Sequence, residues 1–314
     1  MSFHGLSYPS HVFTHFKGAS YLHSSSLKAV YATPSSSTLS HTVESDKLSD
    51  SCYQPMLTGT NTVGIIGGTS VESTLNFTRK LVQWSVRDGA DSVPFVLCSD
   101  PLLNKEILTY ERNSWPSLLR QDERPKLDHA PIIENLRSKR GFLEKSGAHC
   151  IVMPCHISHS WYDEVSKGSS AHFLHMGECV ASELKEAKMR PLEAGSPLRI
   201  GVLASNATLN AGFYQEKLQN EGFEVVLPDK ATMDHTIVPA IEAMDRKDME
   251  GAQNLLRIAL QVLLVRAVNT VILASDDMRD LLPSDDPLLK KCIDPMDALA
   301  RSTVKWARTG GKGA

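Results

Sequence analysis

The stretch Cys150-Ile151-Val152-Met153-Pro154-Cys155-His156-Ile157-Ser158-His159 delivers a thiol and two imidazoles to the end of a short apolar run. A thiol, with a usual pKa of about 8.5, can take or give a proton near neutral pH. Cys155 could also act as a nucleophile paired with His159, four residues on and one turn into a following helix. Zinc held by Cys155, His156 and His159 would need a fourth ligand or a water, and no second cluster of ligand-type residues accompanies them. Both histidines also have a plain reading, as capping or packing residues near a strand end. A second passage, residues 267–281, has the same outline but carries Ser275 where the cysteine would fall, followed by Asp276 and Asp277. A serine hydroxyl is a far weaker acid than a thiol and moves protons only when something activates it. The two aspartates could supply that activation, take the proton themselves, or simply form a solvated loop.

These groups need elements to aim them. From Thr62 onward, short apolar runs alternate with helix-like periodicity. Residues 62–68 read as a buried strand ending in glycines. The helix after it gathers Val71, Leu75, Val82 and Val86 on one face. Residues 92–100 read as the next strand. Pro131 opens a helix with Ile132, Leu136 and Leu143 on its apolar face. Residues 149–154 and 172–176 are two more strands, and a helix over 178–187 closes the first half. After a Pro- and Gly-containing linker at 188–198, the plan repeats: 198–213 parallels 62–77, 223–229 parallels the second strand, 269–275 parallels the third, and 291–307 parallels 173–187. Alternating strands and helices imply parallel sheets covered on both faces. In such sheets ligands bind beyond the carboxyl ends of the strands. Cys155 and Ser275 both fall there, one per half, so two facing halves would aim one each into a shared cleft.

Size and composition narrow the alternatives. With 314 residues, 41% of them hydrophobic, the chain has material for two modest domains or one large one. A formal net charge of −3 and a pI near 6.5 argue against a nucleic-acid binder. No apolar run approaches the length that spans a bilayer. The six cysteines are scattered without a CxxC pair, which fits a reducing compartment. Cys98, Cys150, Cys179 and Cys292 read as packing residues. Gly64, Gly67 and Gly68 lack the dinucleotide spacing, and no Walker sequence occurs. Their turn would leave backbone N–H groups for a small anion such as a carboxylate. Residues 1–58 are Ser- and His-rich, hold no Arg, and have no acidic residue before Glu44. That composition suits a plastid transit peptide, or else a disordered tail.

Read together, the ordered pieces resemble the aspartate/glutamate racemase superfamily over about residues 62–307. The family's opening Gly-Gly-Met-Gly-Pro-Glu-Ala-Thr-like turn stands here as Gly67-Gly68-Thr69-Ser70-Val71-Glu72-Ser73-Thr74. Its Pro-Cys-Asn-Thr-Ala-His motif stands as Pro154-Cys155-His156-Ile157-Ser158-His159, followed by Trp161-Tyr162-Asp163-Glu164. Its Leu-Ala-Thr-x-Gly-Thr strand end is Leu203-Ala204-Ser205-Asn206-Ala207-Thr208, then Gly212-Phe213-Tyr214. Its Gly-Cys-Thr-Glu-Leu motif is Ala274-Ser275-Asp276-Asp277-Met278.

The resemblance implies an α/β fold of two pseudo-symmetric, three-layer parallel-sheet lobes. They would span 59–190 and 191–314, with the site between them. It further implies a homodimer and cofactor-independent, metal-free proton transfer at the α-carbon of an amino acid. In that chemistry one thiolate removes the proton from one face while a thiol on the other face returns one, and a helix start just after the strand lowers the thiol pKa. Cys155 matches the first thiol and Ser275 the second. Carried over by position, Gly68, Thr69, His156, Ile157, Ser205 and Thr208 would contact substrate. Lys105 would stand where the family places an arginine for a distal carboxylate, as a point charge rather than a planar fork. With that arginine gone, and with His156-Ile157 and Asp276 in place of family residues, a substrate other than free aspartate or glutamate is expected. Three readings remain open: an amino-acid racemase or epimerase, a one-cysteine decarboxylase or lyase, and a catalytically silent metabolite-binding relative. His175 and Asp294, at matching places after the fourth strand of each half, read as structural supports of the cleft.

Overall fold

The computed structural model describes residues 61–114, 128–189, 191, 195–275 and 278–310. The transit-peptide reading of 1–58 falls outside the described residues, and so do Asp276 and Asp277. The first half runs β1 (Val63–Ile66), α1 (Val71–Ser85), β2 (Phe95–Cys98), α2 (Pro101–Asn113), α3 (Ala130–Lys145), β3 (Cys150–Val152), α4 (Tyr162–Ser166), β4 (His172–Phe173) and α5 (Met176–Glu186). The second runs β5 (Arg199–Ala204), α6 (Asn206–Ala211), α7 (Phe213–Asn220), β6 (Glu224–Val226), α8 (Lys230–Thr232), α9 (Val238–Asp245), α10 (Met249–Val265), β7 (Thr270–Ala274), α11 (Met278–Leu281), β8 (Cys292–Ile293) and α12 (Pro295–Thr309).

The strands form two four-stranded sheets with the same order, β2-β1-β3-β4 and β6-β5-β7-β8. Every pairing is parallel: Val63 sits beside both Phe95 and Cys150, and Ile200 beside both Val225 and Thr270. In both sheets the inner strands are the first and third, so the two reactive strand ends, after β3 and β7, are each central. Parallel pairing leaves both faces of a sheet to be covered, which explains why β1, β3 and β7 are buried throughout and apolar but for Thr270.

The sheets are not independently cored. One cluster joins Val63, Phe77, Leu81, Met176 and Val180 of the first half to Ile200, Tyr214, Leu218, Leu299 and Val304 of the second. Helices α1, α5, α7 and α12 make this shared layer, and both sheets belong to one compact unit. Each sheet's other face has its own cluster: Leu103, Ile107, Leu136 and Trp161 in the first half, Leu256, Leu260, Leu263 and Met278 in the second. Together these are the two three-layer α/β lobes that the resemblance implied.

α1 overturns part of its sequence reading. Val71, Leu75, Val82 and Val86 do share a face, but that face is exposed, at 48%, 45%, 36% and 49%. The buried face is Ser73, Thr74, Phe77, Leu81 and Ser85. Two of its hydroxyls are satisfied inside the helix, Thr74 donating to the Ser70 carbonyl and Ser85 to that of Val82, both at 2.8 Å. α1 packs beside α12, and Lys80 reaches across to Asp294 at 2.9 Å.

His175 and Asp294 occupy equivalent N-caps. His175 Nδ1 accepts from the Gly177 N–H at 3.0 Å to start α5, and Asp294 Oδ1 accepts from the Met296 N–H at 2.9 Å to start α12. Both were read as structural supports, and this is the support they give.

Candidate active site

Four strand ends converge on one cavity of about 220 Å³. β1 contributes Thr69 and Ser70, β3 contributes His156 and Ile157, β5 contributes Ser205 and Thr208, and β7 contributes Ser275. These are the inner strands of both sheets, and their carboxyl ends are where an open α/β sheet takes its ligand. Six of the residues proposed from sequence therefore share a wall: Thr69, His156, Ile157, Ser205, Thr208 and Ser275.

Cys155 is not among the residues lining the cavity; it stands behind Thr69 and is almost closed off, 2% exposed. Its sulfur is 3.7 Å from the Thr69 hydroxyl, a contact in which either atom could donate. Gly68 is needed for this approach. A methyl group there would meet the Cys155 Cβ well inside contact distance and come 2.5 Å from its Sγ. The glycine turn does not present all its N–H groups to a ligand, however, because Gly67 N–H donates to the Cys98 carbonyl at 2.9 Å.

The helix expected after Cys155 is shorter than the sequence implied. A five-residue 3₁₀ turn, Ile157–Trp161, runs straight into the five-residue α4. Its dipole is correspondingly small, so little of any thiol activation comes from it. The two histidines of the motif part company. His156 is buried, lines the cavity and holds the Tyr214 hydroxyl through Nδ1 at 2.9 Å. Burial pushes its pKa down to about 4, against a weaker upward pull from the Asp294 carboxylate. His159 points away from the cavity lining. Its Nε2 donates to the Met153 carbonyl at 3.0 Å, and its ring packs among Tyr162, His175 and Phe213. Burial first, then the neighbouring His175, hold its pKa well below the usual histidine value. It is neither a cap nor, by this placement, a base for Cys155. Among the described residues, no three His, Cys, Asp or Glu side chains gather at metal-ligand spacing.

The second lobe's strand ends contribute short polar side chains. Ser205 and Thr208, both 2% exposed, stand 3.4 Å apart through their hydroxyls. Ser275 directly follows β7 and is half-buried in the cavity.

Lys105 is the misplaced member of the proposed set. It is exposed on α2 and is not among the residues lining the cavity. One and two turns further along the same helix, Leu108, Glu111 and Arg112 do line it, as do Ile241, Met244 and Asp245 of α9. No signal in the strand-end motifs marks these residues, which lie on helices far from them in sequence. The remaining described thiols behave as packing groups. Burial raises Cys179 to about 11 and Cys292 to about 12, and pushes Cys150 higher still.

Comparison with known proteins gives the same architecture. The broad specificity amino-acid racemase RacX of Bacillus subtilis (strain 168) is 25% identical over 247 residues, covering 77% of this chain and 96% of that protein. The aspartate racemase of Picrophilus torridus superposes with a TM-score of 0.60 at 24% identity, over 79% of this chain and 94% of the other. A putative Asp/Glu racemase from Yersinia pestis superposes with a TM-score of 0.61 at 20% identity, over 79% and 99%. At these identities the structural likeness establishes the fold. Residues 66–303 match the family described as Asp/Glu/Hydantoin racemase, well over half of the sequence, and the chain belongs to that family.

Proposed function

We propose that the protein is an amino-acid racemase or epimerase that needs no cofactor, with Cys155 as the acid/base on one face of the α-carbon. Ser275, activated by Asp276 or Asp277, serves the opposite face. The observation that carries this reading is the convergence of four inner strand ends, from both lobes, on one cavity. A proton carrier from each lobe suits a reaction in which each face of a planar intermediate needs its own donor. Thr69, Ser205, Thr208 and His156 are the groups assigned to the amino-acid head group. A neutral His156, bonded to Tyr214, can accept or donate a hydrogen bond without bringing a competing charge. Because Cys155 is nearly closed off behind Thr69, substrate reaches its sulfur only as the Thr69 contact shifts.

One observation favours a second reading, a binding protein without turnover: the same near-complete burial of Cys155. Solvent exchange separates the two. The racemase reading expects Cys155-dependent loss of α-hydrogen to water, abolished in Cys155→Ala. Ligand-induced thermal stabilisation without any such exchange would replace it with the binding reading.

The proposal includes a homodimer and residence in the plastid stroma. The exposed row Val71, Leu75, Val82 and Val86 supports the first, as apolar surface for a second copy to cover. Composition of residues 1–58 alone supports the second, and import of a full-length fusion into isolated plastids tests it.

A further inference from the structure

Besides the strand ends, two helices line the cavity, and they hold equivalent places in the two lobes. α2 lies between β2 and the long α3, and α9 lies between β6 and the long α10. Each gives three residues at the same spacing: Leu108, Glu111 and Arg112 from α2, and Ile241, Met244 and Asp245 from α9. Positions i, i+3 and i+4 make one stripe along a helix. The aliphatic members, Leu108, Ile241 and Met244, are partly exposed, whereas Arg112 and Asp245 are exposed. The charges are not offered uncommitted. Arg112 Nη2 lies 4.0 Å from Asp245 Oδ2, and Glu111 has an interaction of its own. Among the described residues, neither helix gives the cavity an uncharged hydrogen-bonding side chain. The strand ends are the reverse, hydroxyls and the neutral His156, with the buried Ile157 as the apolar member of that floor.

We propose that the helix side of the cavity is the side-chain subsite, and that it selects an amino acid with a neutral aliphatic side chain, leucine-like, over polar or acidic ones of the same size. The assignment rests on the racemase reading for where the α-carbon stands. The head group takes the hydroxyls of the strand ends, between the two proton carriers, so the side chain is turned toward α2 and α9. There it meets Leu108 from one lobe and Ile241 and Met244 from the other, which bury its methyl groups away from water. An amide or carboxylate of equal size would give up its water in the same place for aliphatic carbon. Lys105, the cation that sequence offered for a distal carboxylate, lies outside the cavity. Leu108, Ile241 and Met244 are thus the specificity-determining residues.

Titration calorimetry on the full chain with L-leucine, L-alanine, L-asparagine and L-aspartate tests the assignment. Asparagine and aspartate match leucine in size and differ in polarity, whereas alanine keeps the head group and removes the rest. Leucine should bind about tenfold or more tighter than each of the other three, a step within reach of one or two well-packed methylenes. Leu108→Ala combined with Met244→Ala should bring the ratio of leucine to alanine affinity down toward one. Alanine affinity itself should stay, which also shows that the variant has folded. Asparagine or aspartate binding as tightly as leucine, binding of none of the four, or a ratio that the folded double variant leaves unchanged would each overturn the proposal. The wild-type ranking decides the matter even where the paired substitutions unfold the chain. Deuterium exchange at the α-carbon, compared between wild type and Cys155→Ala, separates this result from the underlying chemistry. Leucine-selective binding without Cys155-dependent exchange removes the racemase reading and leaves the subsite standing. Cys155-dependent exchange fastest on aspartate does the reverse.

Discussion

Gly68, Cys155 and Ser275 carry most of the chemistry in this account, and each can be tested by one substitution. Gly68 sits against Cys155 with no room for a Cβ. Gly68→Ala should therefore displace the sulfur, cost about 1–3 kcal/mol of stability as other overpacked sites do, and slow α-exchange with it. Unfolding in urea and exchange kinetics on the same preparation check both parts. Unchanged exchange in a destabilised variant would mean that the position of the thiol does not matter. Ser275 is the weaker carrier because an alcohol is poorly matched to proton transfer near neutral pH. If it faces the α-carbon, Ser275→Cys should raise the inversion rate by about 10²–10⁴-fold, the usual worth of a matched acid/base. Polarimetry on a single enantiomer measures this, and no gain would place the second carrier elsewhere. The cysteine/serine asymmetry does not make the reaction one-way. Both directions cross the same barriers and the equilibrium constant is one, so kcat/KM falls equally for the two enantiomers.

At the scale of elements, the two N-caps show how the halves share a plan with different chemistry. His175 starts α5 with an unprotonated Nδ1, and Asp294 starts α12 with a carboxylate. Burial holds His175 and His156 down to about 4, against about 6.5 in an unfolded chain. Between those values the unfolded chain binds protons that the folded one refuses. Stability is therefore full above about pH 6.5 and is lost as pH falls toward 4, by about 2 kcal/mol per histidine between pH 7 and pH 5. His175→Asn keeps a capping acceptor and removes the titration, so its unfolding free energy should fall less over that interval than the wild type's. An equal fall in both would show that His175 is not held neutral by burial. The elements themselves were largely legible in the sequence: the strands, the apolar face of α3 and the repeat all follow from period and composition. α1 was not, because two faces carry helical spacing and the greasier one is outside. Its inner face is Ser73, Thr74 and Ser85 as much as Phe77 and Leu81, and the hydroxyls of Thr74 and Ser85 are buried at little cost because they bond within the helix. The site was legible where strand ends define it and illegible where helices do. Thr69, His156, Ser205, Thr208 and Ser275 follow from the motifs. Leu108, Arg112, Ile241 and Met244 come from helices whose approach only the packing fixes, and a reading by local position fell one to two turns short, at Lys105.

The whole molecule consists of two lobes with the same strand order, joined by a core that neither could complete alone. Joined this way, the lobes cannot part widely without opening the Phe77, Tyr214 and Leu299 layer, so access to Cys155 comes from small shifts around Thr69 rather than from separation. The exposed α1 row adds an expectation about assembly. Light scattering should give twice the chain mass, and Leu75→Glu with Val82→Glu should return the single-chain value. A monomeric wild type would leave that row as ordinary surface. The central claim, that two carriers on opposite lobes serve one α-carbon, has a more direct test. Single enantiomers of a reactive amino acid are incubated with the protein in D₂O, and α-deuterium content is scored by NMR in each product enantiomer separately. The account predicts deuterium in the inverted product from either starting hand, at matched kcat/KM, and neither exchange nor inversion in Cys155→Ala. Deuterium gained only in the retained enantiomer would show a single carrier, and exchange that survives Cys155→Ala would contradict the account outright.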